Sequence, residues 1–452
     1  MQKLSLQLYN NAQWHDAAEV CFYDTDAAGR VTISYTHAYL ANCPSYDAID
    51  CWACSVNAPV TINPADFARW PALFDDLLPA GKSRQWWLNY LDASRDDEFT
   101  QNLKLLANAC ASPIGNLRIK TEKDSQEVNQ SQRFSIKDVV QLQYDFLEYA
   151  NEQGAAVCGA TGAGGVAPKL LLMVEECAKA ASKSSKRVYI DGDFAGKPLN
   201  AKPYLTKFAR NECTERDNQI LKAEGSYYRS LNDVLADTTI ATIDVDNMLT
   251  LEHEGQVSLW LPRFDVEIKE GLAHRVGVES IYSMLDAAAG SYQDHFEVIE
   301  SIWTKIQPST RMSSDEFIKQ YVSRDLLNLV YGNSDNHGRN ISFLKRESDI
   351  CFAPIYDFAP MKADPEMVTR LFKWGANCEM AGKVNFIDVA QHLDAFCKPR
   401  VLIDFLNSLA NKLLDLPNSL KTHGCPIEII EFPAIGFKNT EARLKQMGLL
   451  YD

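Results

Sequence analysis

The chain predicts an α+β fold of two lobes, the first rich in strands and the second helical, preceded by an N-terminal α+β subdomain. Three observations predict it. At 452 residues the chain exceeds what one compact core organises, so two or three domains are expected. Short apolar runs of strand type crowd residues 155–265, whereas helical stripes dominate 266–452. Between residues 317 and 357 a helical stripe, a polar loop, a hairpin and an isolated aspartate follow one another in a fixed order.

Taken in order, Leu4–Tyr9, Val20–Tyr23, Val31–Tyr35 and Val60–Ile62 have the composition of strands, and helical segments fall around Trp86–Leu91 and Phe99–Ala109. Residues 111–134, with Pro113, Gly115 and no apolar period, predict a loop or linker that ends the first division, 1–134. A helix starts at a Ser135 cap and stops near Gly154, opening the second division, 135–265. The third, 266–452, is expected to be a helical lobe. Its tail carries Leu402, Phe405, Leu406, Leu409, Leu413 and Leu416 on one face, a pattern of core packing. No internal repeat or low-complexity block is present.

Composition narrows the classes. Hydrophobic residues make up 46% with mixed charge, as in ordinary globular proteins. A formal net charge of −15 argues against strong nucleic-acid binding by this chain. No apolar run approaches membrane-spanning length, and Met1–Gln7 lacks the apolar core of a signal peptide. Twelve scattered cysteines fit the reduced thiols of a cytoplasmic protein, and Cys51-Trp52-Ala53-Cys54 has no second pair at zinc-binding spacing.

The densest chemistry lies in Gly332-Asn333-Ser334-Asp335-Asn336-His337-Gly338-Arg339-Asn340 and Pro354-Ile355-Tyr356-Asp357-Phe358-Ala359-Pro360. An aspartate, an asparagine five residues later and a second aspartate beyond a hairpin form the minimum set for phosphoryl transfer. Asp335 would orient an attacking hydroxyl and accept its proton, staying ionised beside His337 and Arg339. Asn340 and Asp357 would hold Mg²⁺, a hard ion that takes oxygen ligands and leaves the rest of its sphere to water and a nucleotide. Alone, this is also what a polar loop after a helix looks like. Its setting adds meaning: Phe317–Tyr331 carries a helical stripe, and Ile341–Leu344 and Ile350–Ala353 flank a polar turn. That order is found in the second lobe of protein-kinase-like folds. Here Phe358-Ala359 replaces Phe-Gly and no His-Arg precedes Asp335, so the expectation is a divergent protein-kinase-like bilobal fold.

Such a fold needs a glycine loop, a lysine and a partner glutamate upstream. Gly159 to Lys169 contains Gly162, Gly164 and Gly165 and runs into Leu170–Val174. Its glycines allow close backbone approach to phosphates, although a loose glycine cluster also makes a simple turn. Lys207 lies inside Tyr204–Phe208, a strand-type run, where it would reach ATP phosphates or sit on an exposed edge. Glu224, in a helical stretch from about Glu215 to Leu235, is the preferred ion-pair partner, with Glu212 and Glu215 as rivals. Gln256–Asp265 has the form of a strand leaving into a connector that would meet adenine.

In sum these motifs, with Leu-Thr-Lys-Phe, Pro-Arg-Phe-Asp and Leu77-Leu78-Pro79-Ala80-Gly81 followed by Arg84, resemble the HipA family of bacterial serine/threonine kinases, the toxin halves of toxin–antitoxin pairs. The resemblance touches most of residues 1–375. It implies Asp335 as the catalytic residue, Asn340 and Asp357 as Mg²⁺ ligands, Lys207 as the ATP lysine, and Phe264 beside Arg263 at the adenine. It also implies a protein substrate, in the family an aminoacyl-tRNA synthetase among others, and an antitoxin partner through which DNA would be met. Pro262 stands where better-known members carry an acid. The family's regulatory serine in the glycine loop has no counterpart in residues 155–170, where Thr161 is the only hydroxyl. Other readings are a kinase for a small alcohol or sugar, a pseudokinase or corepressor that binds an antitoxin, and a metal nuclease built on His337.

Overall fold

A computed structural model describes residues 1–23, 29–110, 114–120, 133–141, 169–175, 187–190, 201–209 and 214–450. The first sheet holds β1 (Gln2–Asn10), β2 (Gln13–Phe22), β3 (Val31–Tyr35), β4 (Ala65–Phe67) and β5 (Leu117–Ile119), all antiparallel in the order β4-β3-β2-β1-β5. Asn11 and Ala12 join β1 to β2 with φ of 51° and 60°, the two-residue turn whose twist matches paired strands. Leu6, Leu8, Val20, Val31 and Ile33 bury one side of this sheet against Phe74, Leu105 and Leu106. Two expectations change here. Val60–Ile62 forms no strand; the short edge strand is Ala65–Phe67. Leu117–Ile119, expected within a linker, instead pairs with β1, Leu6 opposite Ile119. Three residues are too short to show a period, so only the partner strand reveals them.

The second sheet contains β6 (Phe134–Ser135), β7 (Lys169–Glu175), β8 (Arg187–Ile190), β9 (Ala201–Phe208), β10 (Leu249–His253) and β11 (Gln256–Pro262), in the order β10-β11-β9-β7-β8-β6. Its two faces follow the period of two. Leu170, Leu172, Val174, Tyr204, Phe208 and Trp260 pack with Ile136, Val139 and Val140 of the short helix Ile136–Val140, which Ser135 caps in a reciprocal box with Asp138. Leu171, Leu205, Leu259 and Leu261 face the other way, into the main core. The helix Glu215–Leu235 lies on that face. Thr214 and Asp217 cap it reciprocally, and Leu221, Tyr227, Tyr228 and Leu231 are buried.

Residues 266–280, expected to begin a helical lobe, form strands: β12 (Val266–Lys269) and β13 (Leu272–Arg275) make a hairpin, and β14 (Gly277–Ser280) pairs with β16 (Ser342–Arg346), itself paired to β17 (Asp349–Phe352). Short β15 (Gln293–Asp294) runs parallel to β18 (Phe372–Lys373). The rest carries the helices His295–Ile306, Ser314–Tyr331, Phe386–His392 and Pro399–Leu413, with several shorter ones. Every residue of Ser314–Tyr331 from Tyr321 onward is buried, the mark of a helix enclosed on all sides. Gly332 ends it at φ 74°, where a Cβ would come within 2.9 Å of Ile435. Leu402, Leu406, Leu409, Leu413 and Leu416 all enter the main core. The fold is therefore α+β, with a subdomain and two lobes.

Candidate active site

The site forms where β7 and β9 meet Asp357 and the helix Glu215–Leu235. Lys169 and Lys207 stand directly opposite on β7 and β9, so both side chains leave the same face of the sheet. Lys207 Nζ donates to Glu224 Oε1 at 2.6 Å and also to the Asp357 carboxylate. Glu212 lies outside the described residues, and Glu215 sits exposed at the first turn of its helix. Lys169 Nζ donates to Asp357 Oδ2 at 3.2 Å. Tyr228 extends the network: its hydroxyl donates to Glu224 at 3.1 Å and accepts the Phe358 N–H at 3.2 Å. Asp357 has φ 53°, in the left-handed region that aspartate tolerates better than most residues.

Burial works against the charges of Asp357, Lys207 and Lys169, with different outcomes. Burial pushes the Asp357 carboxyl up, but Lys169 and Lys207 outweigh it and hold it well below the usual carboxylate range. Burial likewise lowers Lys207, yet Asp357 and Glu224 raise it above an ordinary lysine. Lys169, with less opposing charge and Lys207 beside it, stays lowered by burial. In the sequence Lys169 only closes the stretch Gly159 to Lys169, and the β7–β9 register alone aligns it with Lys207.

The loop 332–340 is tied to the Pro354–Pro360 stretch, where the Tyr356 hydroxyl donates to the Arg339 carbonyl. Asp335 N–H donates to Asn333 Oδ1 at 3.2 Å, and Asp335 Oδ1 lies 3.1 Å from His337 Nε2. Arg339 turns from Asp335 toward Asp75 of the N-terminal subdomain, 4.0 Å away. The His337 ring lies parallel to Tyr282, and a Cβ on Gly338 would come within 2.7 Å of that same Tyr282 ring. Asn340 Nδ2 donates to the Asp335 carbonyl at 2.7 Å, while its Oδ1 is buried with no hydrogen-bond partner among the described residues. A buried acceptor left unmatched carries a free-energy cost, and an oxygen-seeking cation would relieve it. Asn340 Oδ1 and the Asp357 carboxylate thus fit a Mg²⁺ ion in donor type.

Beside Lys207 and Asp357 lies a small apolar cleft bordered by Ile114, Leu205, Leu261, Phe264, Val278 and Tyr356. Phe264 and Tyr356 tilt toward one another with ring centroids 5.6 Å apart. Arg263 also borders this cleft, but its guanidinium is committed to Asp265, with Nε donating to Oδ1 at 2.9 Å. Asp265 in turn accepts the Gly115 N–H at 2.7 Å, so Arg263 serves to fix the connector to the N-terminal subdomain. Ile114, Tyr356 and Lys169 join the site without having been singled out in the sequence. Gly162, Gly164, Gly165 and Thr161 lie outside the described residues. Cys51 and Cys54 are free thiols, pushed up by burial to about 12 and about 11, and no cluster of metal-ligating His, Cys, Asp or Glu occurs among the described residues.

A strand-rich lobe presenting a lysine–glutamate pair, joined to a helical lobe presenting an Asp/Asn loop, defines a divergent protein-kinase-like architecture. Residues 161–414 match the family described as HipA-like C-terminal domain and residues 16–120 the HipA N-terminal domain. The chain belongs to the HipA family. It is similar over 98% of its length to HipA of Shewanella oneidensis MR-1, solved with HipB and operator DNA, covering 95% of that chain at 15% identity and a TM-score of 0.61. The Helicobacter pylori proinflammatory kinase CtkA is matched over 56% of this chain and 87% of its own, at 12% identity and a TM-score of 0.36, too slight a likeness to define a fold. No curated protein matches.

Proposed function

We propose that this HipA-family chain is an ATP- and Mg²⁺-dependent serine/threonine protein kinase of the cytoplasm, acting as the toxin of a toxin–antitoxin pair. The observation that carries the reading is the convergence of Lys207, Glu224 and Asp357 at the mouth of an apolar cleft, in a chain whose Asn340 keeps an unmatched buried oxygen. The apolar walls around Phe264 suit a flat base, and the paired ammonium groups of Lys169 and Lys207 suit a polyphosphate. Asn340 and Asp357 would hold Mg²⁺, which when bound supplies charge neutralisation at phosphate oxygens. Each Asp357 oxygen takes one lysine contact and keeps a second lone pair that could face the metal. Asp335 would accept the proton of an incoming serine or threonine hydroxyl, with His337 beside it.

The structural relative solved with HipB and operator DNA suggests an antitoxin partner here, and the net charge of −15 fits DNA contact made through that partner. An aminoacyl-tRNA synthetase is one candidate substrate, and Thr161 is the candidate regulatory hydroxyl in the glycine loop. Incubation with labelled ATP and cell lysate, comparing wild type with Asp335→Asn, tests the reading. Label on discrete proteins, lost in the variant, is expected. Label only on small alcohols or sugars would replace the protein substrate, and ATP binding without any transfer would leave a pseudokinase.

A further inference from the structure

Asp325 lies on the helix Ser314–Tyr331, ten residues before Asp335, and no motif draws the eye to it. Its carboxylate is almost fully buried, yet it gathers three N–H donors from two separate stretches of chain. Asn336 Nδ2 reaches Oδ1 at 2.9 Å, Arg370 Nη2 the same oxygen at 2.7 Å, and Trp374 Nε1 reaches Oδ2 at 2.8 Å. Arg370 is itself held by Glu379 at 3.0 Å, and Glu379 accepts the Trp374 N–H at 3.1 Å. His295 stacks on Trp374 with ring centroids 4.4 Å apart. Burial, with Arg370 nearby, holds its imidazole down to about 4, so it stands neutral beside this ion pair at ordinary pH.

Asn336 directly follows Asp335, and it is pinned twice. Its side chain is on Asp325, and its carbonyl accepts the Leu371 and Phe372 N–H groups at 3.0 and 3.3 Å. Asp335 is fixed at its own amide by Asn333 and at its carbonyl by Asn340. Because peptide units are planar, clamping the groups on both sides of Asp335 leaves its carboxylate only side-chain rotation. The stretch 370–374 that closes this clamp lies downstream of Asp357 on the same chain. Asp325 therefore links the proposed base to the segment that follows the proposed metal ligand.

We propose that Asp325 is a positioning residue for Asp335, holding the loop through Asn336 and the Arg370–Trp374 segment; as a role in turnover it rests on the kinase reading. The test uses the full-length protein with Asp325→Asn and Asn336→Ala. An asparagine at 325 keeps the shape but offers one acceptor and two donors to three N–H groups, so at least one bond is lost. Asn336→Ala removes the loop's side-chain tether and leaves the Asp325–Arg370–Trp374 contacts in place. Both variants should show faster hydrogen exchange across residues 333–341 with the β7–β9–β11 amides unchanged. Their kcat per folded molecule should drop about 10–100-fold, with KM for ATP within about twofold. A purely structural role would lower the folded fraction and leave kcat per folded molecule intact. Unchanged exchange in the loop overturns the proposal whether or not the protein is a kinase, and faster exchange with undiminished kcat overturns the role in turnover. A wild type that binds ATP but transfers nothing would instead end the kinase reading, and with it any catalytic meaning of the clamp.

Discussion

The two halves of the candidate site are built on opposite plans. On the sheet side, Lys169, Lys207, Glu224, Tyr228 and Asp357 satisfy one another, each charge facing an opposite charge. On the loop side, Asn340 Oδ1 and Ser334 Oγ are buried without hydrogen-bond partners among the described residues. A saturated ionic cluster holds its own geometry before any ligand arrives, but at the cost of a strong dependence on each member. An unsaturated loop contributes less to stability and keeps polar atoms free for a ligand. The sheet side is thus a self-paired ionic frame, and the loop side keeps open acceptors.

That contrast can be broken most directly at Asp335. Asp335→Asn should reduce transfer by about 10²–10⁴-fold while ATP affinity, measured by calorimetry, stays near wild type. Full turnover in this variant removes Asp335 from the chemistry.

Asp357→Ala and Asn340→Ala should both abolish transfer and then diverge in stability. Two buried lysines share Asp357. Its loss should cost about 3–5 kcal/mol in urea unfolding. Asn340→Ala, which removes an already unmatched acceptor, should cost about 1 kcal/mol or less. Equal losses would erase the distinction between the two sides of the site.

Acid titration sharpens the same point. Asp357 is held below its unfolded value of 3.8, so its contribution is present above that pH and is lost as pH falls through the lower folded value. Asp357→Asn should therefore be less stable than wild type at neutral pH, with a flatter decline below about pH 4 in acid-unfolding curves. An acid limb identical to wild type would show that the lysines do not depend on this carboxylate.

The smallest expected effect is at the cleft's apolar wall. Phe264→Ala should weaken ATP binding about 2–10-fold, the worth of a ring contact, with kcat little changed. Wild-type affinity would place the base elsewhere.

The sequence by itself determined the chemistry-bearing residues wherever they sit in local patterns. The loop Gly332–Asn340 is bounded by a long helical stripe and a hairpin, and those local periods fix its ends. Glu215–Leu235 was readable because its apolar stripe is a local signal, while the Thr214–Asp217 cap that fixes its start came with the structure. Tertiary structure alone decided who meets whom. Lys169 reaches Asp357 because strands distant in sequence pair in one register, and a shift of one residue would turn it to the other face. Ile114 borders the cleft and Leu117–Ile119 becomes a strand only because the N-terminal sheet docks beside the connector. Arg263 spends its charge on Asp265, and Asp325 finds Asn336, Arg370 and Trp374, for the same reason: a buried charge takes the partners that the packed chain brings within about 3 Å, and no local period in the sequence encodes that distance.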